Sequence, residues 1–307
     1  MNAQHFIENI SIPERLRKHQ IPGRVTITKG GGDLPKINVR TGRSTAEIYL
    51  HGAHVTAFQK NGEPPLLFLS RLSQFAADKP IRGGVPICFP WFGPREGAAL
   101  HGFARLTEWE LVETAAAPNG DVTLCFHLPE SAAAKAGWPA ANVSFIVTVG
   151  DKLTMELAVT NSANENFSFE SCLHTYFAVG DIAQVSIAGL KDAPFDDFAA
   201  GAGGTRKAEN SSMLRITKET NRIYHDTTGP VEIHDKKFQR TIRVEKFNSH
   251  STVVWNPWTT QKMPDDFDPA EHKHMICVES GNLKQNKISL PPGKSSTMKV
   301  TLGSRPV

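Results

Sequence analysis

The sequence predicts an all-β protein built on two large antiparallel sheets packed face to face, with a few short helices. Three observations carry this. Beyond residue 35, apolar side chains recur with period two in short runs. Turn-forming Gly, Asn, Asp and Pro interrupt those runs at short intervals. Only residues 131–137 read as a helix within the body of the chain. The pattern alone leaves a barrel open as the alternative to a sandwich.

The elements follow in order. Residues 2–19 suggest a short amphipathic helix with Phe6, Ile7, Ile10 and Leu16 on its apolar side and a basic end of Arg15, Arg17, Lys18 and His19. Gly30-Gly31-Gly32-Asp33 is a turn, so residues 1–35 are expected to form an extension packed on the rest. Strands are predicted at 36–40, 45–50, 55–59, 109–114, 122–127, 143–149 and 153–160, with Asp121 and Gly150-Asp151 at hairpin-like turns. Further strands are predicted at 167–179, 184–187, 231–234, 241–246, 252–255, 274–279 and 296–301. Residues 199–204 form a small-residue loop and 262–273 a polar loop with Pro264 and Pro269. There is no internal repeat and no linker, so residues 1–307 read as one domain.

Composition narrows the function. The chain has 307 residues, 39% hydrophobic and 21% charged, with a formal net charge of +3. Basic residues are spread out, with no run of five, which argues against nucleic acid as a partner. No apolar run approaches the ~18–20 residues that span a membrane, and the N-terminus lacks the features of a secretory signal. A cytoplasmic setting and a monomer are expected. Cys88, Cys125, Cys172 and Cys277 are far apart and form no CxxC pair, so free thiols are expected. Glu271-His272-Lys273-His274 and His51-x-x-His54 match no catalytic zinc motif, and no Gly-x-Gly-x-x-Gly follows a strand. No metal or cofactor is expected.

The most informative stretch is Pro80-Ile81-Arg82-Gly83-Gly84-Val85-Pro86-Ile87-Cys88-Phe89-Pro90-Trp91-Phe92-Gly93, followed by His101-Gly102-Phe103-Ala104-Arg105. Glycine permits close approach, proline fixes the path, arginine offers a fork of donors to an anion, and aromatic faces suit a sugar ring. A packed, turn-rich segment with solvated arginines is the competing reading. In 167–177, period two places Phe167, Phe169, Leu173 and Phe177 on one face. Glu170, Cys172, His174 and Tyr176 share the other face, which suits a ligand cleft. Glu279 follows the apolar run 275–278, where desolvation would raise its pKa toward neutrality. Each residue has a plainer alternative: a hydrogen-bonded structural histidine and a strand-end glutamate facing water.

Together these motifs resemble a known family. The two glycine-rich pieces resemble the signature of the glucose-6-phosphate 1-epimerases, or hexose-6-phosphate mutarotases, of the aldose 1-epimerase (galactose mutarotase-like) superfamily. Leu173-His174-Thr175-Tyr176-Phe177, Val254-Trp255-Asn256-Pro257-Trp258 and Met275-Ile276-Cys277-Val278-Glu279-Ser280-Gly281 agree in the same order. The resemblance implies a β-supersandwich with a sugar site on a concave face. It implies Glu279 as base at the anomeric hydroxyl and His174 as acid at the ring oxygen. Arg82 and Arg105 are the expected phosphate ligands, against an arginine pair that bridges loops or a surface acid; His101 is a sugar contact or a second proton carrier, Asn221 a sugar contact, and Trp255 a stacking surface or a core residue. Two positions depart from the family pattern: Leu100 stands where glutamine is usual, and Asn221 where aspartate is usual. The expected activity is interconversion of the α and β anomers of glucose 6-phosphate or related hexose 6-phosphates. A mutarotase of unphosphorylated aldoses and a non-catalytic carbohydrate-binding module are the alternatives.

Overall fold

A computed structural model of the chain describes residues 12–307. Most of the helix expected over 2–19 lies outside these residues; within them only Glu14–Arg17 is α-helical, and Leu16 is buried in the core. The expected extension is not purely peripheral, because Val25–Lys29 pairs with Pro35–Arg40 as the edge of a four-stranded sheet completed by Ser44–Tyr49 and His54–Lys60. The interior helix is Glu130–Lys135.

Two large antiparallel sheets dominate. A nine-stranded sheet runs from Leu214–Arg215 through Val185–Ala188, Val231–Asp235, Arg240–Phe247, Ser295–Pro306, Leu153–Asn161, Ala141–Val149 and Val122–His127 to Glu110–Ala116. An eight-stranded sheet runs from Thr205–Ala208 through Pro194–Asp197, Thr220–His225, Ser251–Asn256, Met275–Asn282 and Ser171–Leu173 to Ile87–Cys88. Tyr176–Ala178 also pairs with Met275–Asn282. The alternating apolar residues that predicted the nine-stranded sheet, among them Leu124, Phe126, Phe145, Val147, Met155 and Leu157, form the main core. This is a supersandwich rather than a barrel.

The strand Met275–Asn282 is buried along its whole length. Ile276 and Val278 face the main core, while Met275 and Cys277 belong to a second cluster with Cys88, Cys172, Tyr176 and Trp255. Glu279 therefore does not end the strand, as expected, but sits inside it at 1% exposure.

The run 167–179 is three strands, not one. Phe167–Phe169 pairs with Ile288–Leu290, whereas Ser171–Leu173 and Tyr176–Ala178 pair with Met275–Asn282. The first break falls at Glu170, whose carboxylate accepts from the backbone N–H of Phe92 (2.9 Å) and of Lys284 (2.6 Å). The second falls at His174 and Thr175. The register resumes unchanged, Leu173 opposite Ser280 and Tyr176 opposite Cys277, so His174 stands opposite Glu279 where the ladder opens. The face assignment survives the breaks: Phe167, Phe169, Leu173 and Phe177 enter the main core, and Cys172 and Tyr176 the second cluster.

Candidate active site

A cleft of about 440 Å³ opens on the eight-stranded sheet over Glu279 and His174. Arg82, His101, Tyr176, Asn221 and Trp255 also line it. A larger hollow of about 610 Å³ lies on the four-stranded sheet between Arg24, Asn38, Arg40 and Glu47, and holds no histidine or cysteine.

At the floor, His174 Nδ1 lies 3.4 Å from Glu279 Oε1. That contact is too loose to satisfy Nδ1, which is buried without a hydrogen-bond partner. The ring stacks on Tyr176 at 4.8 Å between centroids and 10° between planes, and stands edge-on to His101 and Trp255. Its rotation is thereby restricted. Burial drives the His174 pKa well below the imidazole value, reinforced by the neighbouring His101 ring and by the Arg105 and Arg82 charges. Burial likewise drives Glu279 well above the carboxylate range, only partly opposed by the Cys172 thiol 3.4 Å from Oε2 and by the Arg105 charge. Burial thus favours the neutral form of both groups.

His101 adopts φ +63°, a left-handed conformation uncommon for a residue with a side chain. Its Nδ1 accepts from Gly93 N–H at 3.0 Å, which places the ring proton on Nε2 as a donor. Burial, with Arg105 and Arg82, pushes its pKa down to about 3, so the ring stays neutral. Gly102 supports this turn: at φ +79° a Cβ would collide with the carbonyl oxygen of Phe89.

The two arginines are placed differently. Arg82 lines the cleft and pairs with Asp266 through Nε–Oδ1 and Nη2–Oδ2, both 3.2 Å, while Nη1 reaches the Tyr176 hydroxyl at 3.5 Å. Arg105 is not among the lining residues. Its Nη2 donates to the carbonyl of Leu100 at 2.7 Å and its Nε is buried without a partner. It fixes the His101 turn from behind. Trp255 is part core and part wall, 8% exposed, with Nε1 donating to Gln261. Asn221 lines the cleft while its backbone carbonyl accepts from Phe198 N–H. Leu100 lies exposed at the mouth.

Sequence reasoning missed Asp266 and the rim lysines Lys262 and Lys284. Lysines in polar loops look like ordinary solvated surface, and only the fold brings 262 and 284 to one cleft. The other histidines weighed as metal ligands bond backbone carbonyls instead: His51 to Lys79, His54 to Gly83, His272 to Pro269 and His274 to Gly180.

Comparison with known proteins settles the class. The aldose 1-epimerase family model matches residues 35–303, and the chain belongs to this family of carbohydrate isomerases. Among its relatives, proteins provisionally named glucose-6-phosphate 1-epimerase are 31% identical over 299 residues in Cenchrus ciliaris (91% of this chain, 88% of that one). One in Salmonella typhimurium is 34% identical over 255 residues (81% and 83%). A Salmonella typhimurium crystal structure, provisionally described as a mutarotase, superposes with a TM-score of 0.85 at 30% identity, covering 94% of this chain and 96% of that one. No helix among the described residues is long and apolar enough to cross a membrane.

Proposed function

We propose that the chain interconverts the α and β anomers of a hexose 6-phosphate, glucose 6-phosphate first among them, by opening and reclosing the sugar ring. The observation that carries this reading is the His174–Glu279 pair, buried under a sugar-sized cleft with cationic groups at its rim. The relatives provisionally named for that reaction support the substrate.

Ring opening removes the proton of the anomeric hydroxyl, breaks the bond from C1 to the ring oxygen and delivers a proton to that oxygen. Rotation about the first C–C bond and closure on the other face give the second anomer. The pair needs one proton for this. Burial favours the arrangement with that proton on Glu279. Moving it to His174 produces a carboxylate and an imidazolium, the arrangement in which Glu279 acts as base and His174 as acid. The two arrangements are tautomers of equal proton count, so the same pair serves both directions.

His101 Nε2 donates to a sugar oxygen, Asn221 offers an amide in place of a charge, and Trp255 presents an edge to the ring. Arg82 Nη1, Lys262 and Lys284 receive the phosphate, with Arg105 adding positive charge from behind. The free thiols fit a cytoplasmic setting. A second reading, a mutarotase of unphosphorylated aldoses, is favoured by one observation: Asp266 already neutralises Arg82. NMR exchange between anomers of glucose 6-phosphate, with glucose and galactose in parallel against a buffer blank, separates the two. Acceleration confined to the phosphorylated sugar is expected; acceleration confined to the free sugars overturns the phosphosugar reading.

A further inference from the structure

The floor of the cleft contains more than an acid and a base. Cys277 lies two residues before Glu279 on the same strand, so their side chains leave the sheet on the same face. Tyr176, opposite Cys277 in the ladder, brings His174 over both. One nitrogen of His174, the sulfur of Cys277 and one oxygen of Glu279 lie within 4.8 Å of one another, and all three residues are buried. The His174 Nδ1–Glu279 Oε1 separation of 3.4 Å already matches an edge of a zinc tetrahedron, about 3.3–3.8 Å for bonds of ~2.0–2.3 Å. His174 Nδ1 is buried without a hydrogen-bond partner, a lone pair or proton with nowhere to go. Cys172 Sγ lies 3.4 Å from the other Glu279 oxygen, adding a second sulfur at the same carboxyl.

We propose that His174, Cys277 and Glu279 form an inhibitory site for a thiophilic divalent cation, Zn2+ in the first instance. Imidazole, thiolate and carboxylate are the donor set of a borderline-soft ion; Mg2+ and Ca2+ require oxygen ligands and are excluded by the sulfur. Three protein donors leave a fourth position facing the cleft, where water or a sugar hydroxyl completes the tetrahedron. Binding releases to solvent the thiol proton and the proton of the His–Glu pair. Metal binding rests on the donor geometry alone. Inhibition rests in addition on the proposed acid–base roles, because the bound ion occupies the lone pairs that move protons.

The test uses the whole purified chain. One equivalent of Co2+ is added and the thiolate-to-cobalt charge-transfer absorption recorded, then Zn2+ is titrated in to displace it. Anomer exchange is followed in parallel with increasing Zn2+ and after a chelator. The expected result is one Co2+ per chain with a thiolate band, and inhibition by Zn2+ that the chelator reverses. In Cys277→Ser and Cys277→Ala the band is lost and the Zn2+ needed for half-inhibition rises at least about tenfold. Circular dichroism checks that both variants are folded. The proposal is overturned if wild-type protein shows no thiolate band, or if band and Zn2+ sensitivity persist in a folded Cys277 variant. If the chain accelerates no anomer exchange at all, the functional reading fails separately. The cobalt band and its loss on Cys277 substitution then decide the metal site alone.

Discussion

The eight-stranded sheet holds two pairs of a buried histidine and a carboxylate, one carboxylate half-buried and one fully buried, and the two carboxylates behave in opposite ways. His225 Nε2 lies 2.8 Å from Asp196 Oδ2, and Arg206 Nε donates to Oδ1 at 2.7 Å. Burial pushes Asp196 up, but the hydrogen bonds and charges of Arg206 and His225 outweigh it and hold its pKa below the usual value. His174 and Glu279 stand 3.4 Å apart with only a thiol and a more distant arginine to help the carboxylate, and there burial wins. The same two residue types leave the carboxylate pKa lowered in one place and raised in the other. The number of donors aimed at the carboxylate decides which.

That contrast is easiest to break by substitution. His174→Ala or Glu279→Gln should lower anomer exchange by at least about 100-fold with the fold intact. Asp196→Asn or His225→Ala should instead lower stability by roughly 1–3 kcal/mol, through loss of a buried partner, and change the rate only a few-fold. NMR exchange and thermal unfolding on all four variants check both halves; near-wild-type turnover in either floor variant would sink the acid–base assignment.

A smaller effect concerns the rim. Arg82→Ala should cost the phosphorylated sugar about 10–100-fold in kcat/KM, the scale of one hydrogen bond to a charged group, and the free sugar far less. Equal losses would remove its phosphate role. Replacing the exposed Lys262 and Lys284 together should cost only several-fold, and that loss should shrink as salt is added.

The smallest predictions concern pH. Because burial depresses His174, the acid limb of the rate should lie below the usual histidine value of about 6.5. An acid limb centred above that value would contradict a depressed His174. For Asp196 the folded pKa is lowered, so its stabilisation is present above the unfolded value of 3.8 and is lost as pH falls through the folded value. Acid unfolding of Asp196→Asn should lack that component.

Apart from the two-residue strand Leu214–Arg215, the strands of the nine-stranded sheet were legible because one face of each is apolar and period two is the direct mark of that arrangement. Pro194–Asp197, Thr205–Ala208 and Thr220–His225 were not recognised as strands. They are short, and their charged residues pair with one another across the sheet, as Asp196 does with Arg206 and Asp197 with Lys207. A charge satisfied by a neighbouring strand looks, in the sequence, like a charge satisfied by water. The motifs singled out His174 and Glu279, which the fold brings to 3.4 Å of each other. The position of Arg105 behind the wall, and the pairing of Arg82 with Asp266, 184 residues away, depend on how distant segments meet and leave no local trace.

The strand Met275–Asn282, covered on both faces, carries one further consequence. Its amides hydrogen-bond on either side to Ser251–Asn256 and to Ser171–Leu173 and Tyr176–Ala178, deep between the two apolar clusters. Such amides exchange with solvent only when the whole domain opens. The backbone at Cys277, Ser280 and Gly281, paired on both sides around Glu279, should be among the slowest-exchanging parts of the molecule, while the rim around Lys262 and Lys284 exchanges through local fluctuation. Breathing of this protein is then confined to the rim of the cleft, and the floor that carries the proposed acid and base is as permanent as the fold itself.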